Sequence, residues 1–187
     1  MNGTFLALLM GLFSFLFGSP ASAEPPAAKP KAEDAGRALR QMMLTMPPAE
    51  IGVKPTPDFP HVYGVLMDFP ISHGQTATVL ANATGTASLY TTGTFGIIGG
   101  EGHAQVRAAA VTFTRAAGEF FDSATPTQEF PYPADDRIRF YLLTFEGVRC
   151  IDTEYAAIEN GSSKYTRFFG LGQQVLTELR LITEKKP

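Results

Sequence analysis

The sequence predicts an α+β domain: a mostly antiparallel five-stranded sheet with helices packed on it, in the order α-βββ-α-ββ-α. Three observations lead there. His61–Phe69 is apolar on both alternating faces (Val62, Tyr63, Val65, Leu66, Met67), as a central strand buried on both sides requires. Two later stretches repeat apolar residues at helical spacing. Turn signals separate the remaining β-like runs at short intervals.

Ahead of the first strand, Lys31–Met46 places Ala35, Leu39, Met42 or Met43, and Met46 on one face, with Glu33 and Asp34 in the first turn where the helix dipole favours anions. This predicts a short amphipathic helix that docks on the domain surface. Pro70 is expected to close the first strand. Ser72-His73-Gly74 then turns the chain into Gln75–Ala81, and Asn82-Ala83-Thr84-Gly85 returns it into Thr86–Thr91. Gly93–His103 is a flexible, Gly-rich loop feeding a helix whose inner face holds Val106, Ala110, Phe113, Ala117 and Phe120. Asp122–Asp136 carries Pro126, Pro131 and Pro133 and is expected to be a connecting loop. Arg137–Phe145 and Val148–Thr153 flank Glu146-Gly147 as a hairpin. After the Asn160-Gly161 turn, Ser162 or Ser163 caps a final helix lined by Tyr165, Phe168, Phe169, Val175, Leu176, Leu179 and Ile182. Gly170 and Gly172 inside that helix each cost about 1 kcal/mol relative to alanine, which points to close packing on the sheet or to a kink. The element order is similar to that of profilin-like and roadblock-like domains, an analogy of fold alone.

The chain divides into four parts. Residues 1–23 hold an apolar run over 5–17, then Gly18-Ser19-Pro20 and the triplet Ala21-Ser22-Ala23, the layout of a signal peptide with an A-x-A cleavage site. Secretion or a periplasmic location follows from that reading. No Lys or Arg precedes the apolar run, which keeps open a retained anchor, or translation from Met10 and a cytoplasmic protein. Residues 24–60 form a neck: nine of the fourteen prolines fall between Pro20 and Pro60. Residues 61–182 are the α+β domain, and 183–187 a tail. The strings VYGVLMDFPI, ASLYTTGTFGIIGGEGH, RFYLLTFEGVR and GLGQQVLTELRLI, spread over 61–182, resemble a family of uncharacterised bacterial proteins. That resemblance implies one bacterial domain and brings no catalytic residues with it.

Composition removes several functions. A pI near 5.6 and a net charge of -3 without a basic run exclude a nucleic-acid footprint. Three scattered His and one Cys cannot build a dedicated zinc site, and no cofactor motif is present. Cys150 has no intrachain disulfide partner and suits a small core position. No spanning segment is expected once the leader is cleaved.

Two candidate sites remain. In the first, Gly99, Gly100 and Gly102 expose backbone N–H groups before a helix, where a phosphate or carboxylate could bind and His103 could act as acid or base. Glu101 opposes an anion there, and the same residues suit a packed strand-to-helix turn. In the second, Asp68, His73 and His103 could meet at one sheet edge for acid–base work, although no metal-ligand spacing connects them. Arg137, Arg139 and Arg149 suggest a small cationic patch facing Asp135 and Asp136. Phe130 and Tyr132 either form an aromatic lip or pack on the sheet. With no nucleophile motif, the sequence leans away from an enzyme and towards a binding or interaction domain whose partner is a protein or a second copy. The alternative is a small enzyme or sensor for a phosphorylated or carboxylated metabolite at Gly96–His103.

Overall fold

A computed structural model describes residues 32–93, 96–100 and 102–184. The leader and the first part of the neck lie outside the described residues. Helices α1 (Ala32–Thr45) and α2 (Pro48–Ile51) precede strands β1 (Val62–Ile71), β2 (Gln75–Asn82), β3 (Ala87–Thr91) and β4 (Gly96–Ile98). Then come α3 (Ala104–Ala117), β5 (Thr125–Thr127), β6 (Arg137–Thr144), β7 (Gly147–Glu154), α4 (Tyr155–Glu159) and α5 (Thr166–Glu184).

The five-stranded sheet expected from the sequence is corrected to seven antiparallel strands, in the order β4-β3-β2-β1-β6-β7-β5, and the described residues hold five α-helices rather than three. The architecture remains α+β and a single domain. Both extra strands are three residues long and sit at the sheet edges, inside segments whose glycines and prolines read as loop. Tyr155–Glu159 and Pro48–Ile51, the extra helices, are too short for an apolar period to develop.

β1 is the central strand, buried from Val62 to Phe69. Pro70 does not close it. Pairing with β6 ends at Asp68↔Arg139, while pairing with β2 runs on to Ile71↔Gln75, so Pro70 needs only one strand neighbour and its missing N–H costs no bond to β6.

Side-chain alternation gives the sheet two different faces. Val65, Met67, Phe140, Leu142 and Ile151 meet Val106, Ala110 and Phe113 of α3 and Phe168, Val175 and Leu179 of α5. Close approach of α5 depends on Gly172, where a Cβ would lie 2.5 Å from Met67 Sδ and 3.1 Å from Phe113 Cζ. Gly170 meets nothing within 4 Å, so only one of the two glycines serves packing.

The opposite face carries Tyr63, Leu66, Leu80, Tyr90, Tyr141 and Leu143, and α1 covers part of it with Met43 and Leu44. Met42 turns outward. No helix among the described residues is long and apolar enough to cross a membrane.

Candidate functional site

Chemistry-bearing side chains concentrate in one row on the α1 face. Antiparallel register aligns Thr78 of β2 with Asp68 of β1, Asp68 with Arg139 of β6, and Arg139 with Asp152 of β7. The neighbouring row is Leu80, Leu66, Tyr141 and Cys150. A polar ladder thus lies beside an apolar one.

Asp68 is 0 % exposed, and a carboxylate so placed requires partners. Arg40 reaches down from α1 to supply the first: its Nε and Nη2 donate to Asp68 Oδ2 at 3.0 and 2.5 Å, and its Nη1 donates to the Phe130 carbonyl at 2.9 Å. Thr78 Oγ1 donates to Asp68 Oδ1 at 2.5 Å. The guanidinium also lies over the Tyr132 ring, 4.2 Å from its centroid, and 5.2 Å from that of Tyr141. Phe130 meets Tyr141 edge-on at 5.8 Å. The Pro-rich segment therefore packs over the row and closes it.

Burial pushes the Asp68 carboxyl above the ordinary carboxylate range, against the opposing pull of Arg40 and Thr78. Burial also acts to lower Arg40, but the hydrogen bond and charge of Asp68 outweigh it and raise its affinity for the proton. The pair is held together as an ion pair, with Arg40 only 3 % exposed.

The outer end of the row is equally occupied. Arg139 Nε donates to Asp152 Oδ2 at 2.6 Å and its Nη1 donates to the Pro131 carbonyl at 3.1 Å, while Arg137 pairs with Asp152 as well. The expected cationic patch is corrected accordingly. Its acidic partner is Asp152 across the hairpin, and Arg149, in register with Leu142, lies on the other face and donates to the Phe121 and Ala124 carbonyls.

A cleft of about 470 Å³ opens at this end, lined in part by Thr125, Glu129, Arg139, Tyr141, Cys150 and Asp152. It offers no activated nucleophile. Burial pushes the Cys150 thiol up to about 11 and the Tyr141 hydroxyl up to about 12. Cys150 in the native chain should consequently react with iodoacetamide at pH 8 at least tenfold more slowly than in the urea-unfolded chain, because the thiolate is the reactive form. Mass-resolved alkylation time courses check this.

The structure separates the residues of the second candidate site. Asp68 faces α1, whereas His103 directly precedes α3, which packs on the opposite face. His73 lies in a 3-10 turn, Ser72–Gly74, between β1 and β2. No group of three or more His, Cys, Asp or Glu is placed to hold a metal among the described residues.

At the Gly-rich turn, Gly96 belongs to β4, and Gly99 takes a positive φ of 69°. Gly100 is buried, and a Cβ there would lie 2.5 Å from Val106 Cγ1 and 2.9 Å from Leu179 Cδ2. Its glycine is needed for helix packing. Two of the backbone donors are engaged: Gly99 N–H donates to Ser88 Oγ at 3.3 Å, and His103 N–H to the Gly100 carbonyl at 2.9 Å. Gly102 and the His103 side chain are exposed, and Glu101 lies outside the described residues.

No family model, curated protein or solved structure matches the chain.

Sequence reasoning singled out Asp68 but missed Arg40. The available signal was a lone acid inside the apolar strand VYGVLMDFPI, which demands a cation. Which of fifteen Lys and Arg would answer was not written in the spacing.

Proposed function

We propose that this chain is a non-catalytic interaction domain that takes an extended segment of a partner protein at the β4 edge of its sheet. The contrast between the two sheet edges carries the reading. A free edge presents unpaired N–H and C=O groups to any passing strand. At β5 the central residue is Pro126, whose missing N–H blunts that edge. β4 is Gly96-Ile97-Ile98, with neither proline nor charge, and Ile98 is 66 % exposed. The interior supports the same conclusion, since Arg40, Asp68 and Thr78, and Arg139 and Asp152 beside them, are already engaged with one another.

The alternative, an anion-binding enzyme or sensor at Gly96–His103, has less support. Gly100 is committed to Val106 and Leu179, and the Gly99 and His103 N–H groups already have acceptors.

A photocrosslinking residue placed at Ile98, and separately at Thr125 as the opposite-edge control, tests the proposal in the producing cell. A discrete adduct from position 98 and none from position 125 is the expected result. Its mass distinguishes a different protein from a second copy of this chain. Equal labelling from both edges, or none from position 98, would overturn the reading.

Export belongs to this picture, since the 1–23 leader would deliver the domain outside the cytoplasm. Intact mass of the mature protein is expected to correspond to a chain starting at Glu24. A start at Met1, Met10 or Gly11 would remove export by cleavage.

A further inference from the structure

Hydrogen-bond alternation across the sheet fixes which backbone groups the β4 edge presents. Asn82 N–H donates to the Thr86 carbonyl at 3.1 Å and Thr92 N–H to the Thr76 carbonyl at 2.9 Å. In the register of β2 and β3, Ser88 and Tyr90 therefore bond towards β2, and Leu89 between them bonds towards β4. Leu89 is in register with Ile97. Ile97 thus turns its N–H and C=O inward to β3, while Gly96 and Ile98 turn theirs outward.

We infer that the strand taken at this edge is β4 of a second copy of the chain, paired antiparallel about a two-fold axis at Ile97. The inference rests on the reading of β4 as the binding edge and names its occupant.

The outward groups carry the argument. Pairing centred on Ile97 sets Gly96 opposite Ile98 of the other copy and Ile98 opposite its Gly96, so each outward N–H meets an outward C=O. A register shifted by one residue sets outward groups against inward ones. A shift of two carries half of them past the end of the strand. The lengths also match, because β4 is three residues long and Gly99, with a φ of 69°, ends its extended run. A longer peptide would find no edge beyond Ile98, whereas β4 of a second copy needs none.

The side chains are self-complementary as well. Gly96 and Ile98 are in register with Tyr90 and Ser88, which places them on the α1 face. Ile98, 66 % exposed, would lie across Gly96 of the other copy, where a large cross-strand side chain shields bare glycine backbone. On the α3 face, Ile97 meets its own counterpart at a non-hydrogen-bonded position, where side chains approach most closely. A charged residue on the axis would face its own like charge, and β4 has none. Such an isologous contact closes at two chains and joins two seven-stranded sheets into one. Its small area implies association in the micromolar range or weaker.

Sedimentation equilibrium of the full chain tests the inference together with photocrosslinking from position 98. Expected is a reversible monomer–dimer equilibrium without larger species, and a crosslink from position 98 that maps to the peptide containing Gly96 of the second copy. Ile98→Pro removes an outward N–H that β3 does not use, and should weaken association at least tenfold. Ile98→Lys keeps the backbone and blunts the edge with a charge, with the same expected direction. Both variants should melt close to the parent at concentrations where all three are monomeric, which separates lost pairing from lost folding. A chain that stays monomeric up to about 1 mM, while position 98 still captures a different protein in the producing cell, overturns the second copy and leaves the edge reading standing. A monomer with no adduct from position 98 overturns both. A dimer that survives both substitutions, or a crosslink from position 98 that maps away from Gly96, overturns the pairing inferred here.

Discussion

Replacing Arg40 with alanine should cost about 3–5 kcal/mol of folding stability at neutral pH, the penalty for removing one member of a buried ion pair. The reason lies in where the two partners sit. Asp68 is on the central strand between β2 and β6, 0 % exposed, and is covered from the α1 side by Arg40 and the Phe130–Tyr132 segment. Arg40 is on α1, at the outside of the sheet, and can reach water if that helix lifts.

Arg40→Ala thus strands a carboxylate in the core. Thr78 remains as its hydrogen-bond donor, but the charge of Arg40 no longer opposes the upward push of burial. The sign of the pH dependence follows. A folded-state pKa above the unfolded value favours folding below the unfolded pKa, and that stability is lost as pH rises through the folded pKa. The deficit of Arg40→Ala against wild type should be small near pH 4 and grow towards pH 7. Urea unfolding at both values checks it, and a deficit independent of pH would show that Asp68 is not the group left behind. Replacing the trio by apolar residues, Arg40→Met with Asp68→Leu and Thr78→Val, should recover most of the loss, since no unpaired charge remains.

Phe168→Ala should cost a similar amount, about 3–5 kcal/mol, for a different reason. Phe168 is 1 % exposed at the centre of an aromatic cluster, with ring centroids of Phe113, Phe120 and Phe140 at 4.9, 5.0 and 4.6 Å. It joins α3, α5 and β6 at one point. Truncation removes the transfer free energy of the ring and leaves a cavity that three elements would have to close together. Thermal and urea unfolding should show this loss with little pH dependence, in contrast to Arg40→Ala.

The two residues also mark what the sequence could and could not reveal. Phe168 was legible, because helical periodicity places it on the inner face of α5 and apolar faces turn to the core. β1 to β3 and the β6–β7 hairpin were legible for the corresponding reason in strands, with turn residues marking their ends. β4 and β5 were not. Their side chains are too few to establish alternation, and pairing with a distant strand makes them strands.

Arg40 lay beyond reach because its partner is 28 residues away and the choice depends on how α1 docks. That docking depends in turn on Gly36, where a Cβ would lie 2.8 Å from the Thr91 carbonyl oxygen of β3. The paired charges of the Arg139–Asp152 end were visible as residue types, but their pairing required the hairpin register. The separation of Asp68 from His103 came from strand parity, a one-residue matter that decides which face a side chain meets.

The central claim is that the buried ionisable row builds the fold while binding takes place at the β4 edge. Crosslinking from position 98 in the Arg40→Met, Asp68→Leu, Thr78→Val background tests it most directly. A folded protein that yields the same adduct as the parent chain is the expected result. A folded variant that loses the adduct would contradict it, by showing that the row takes part in function rather than in the fold alone.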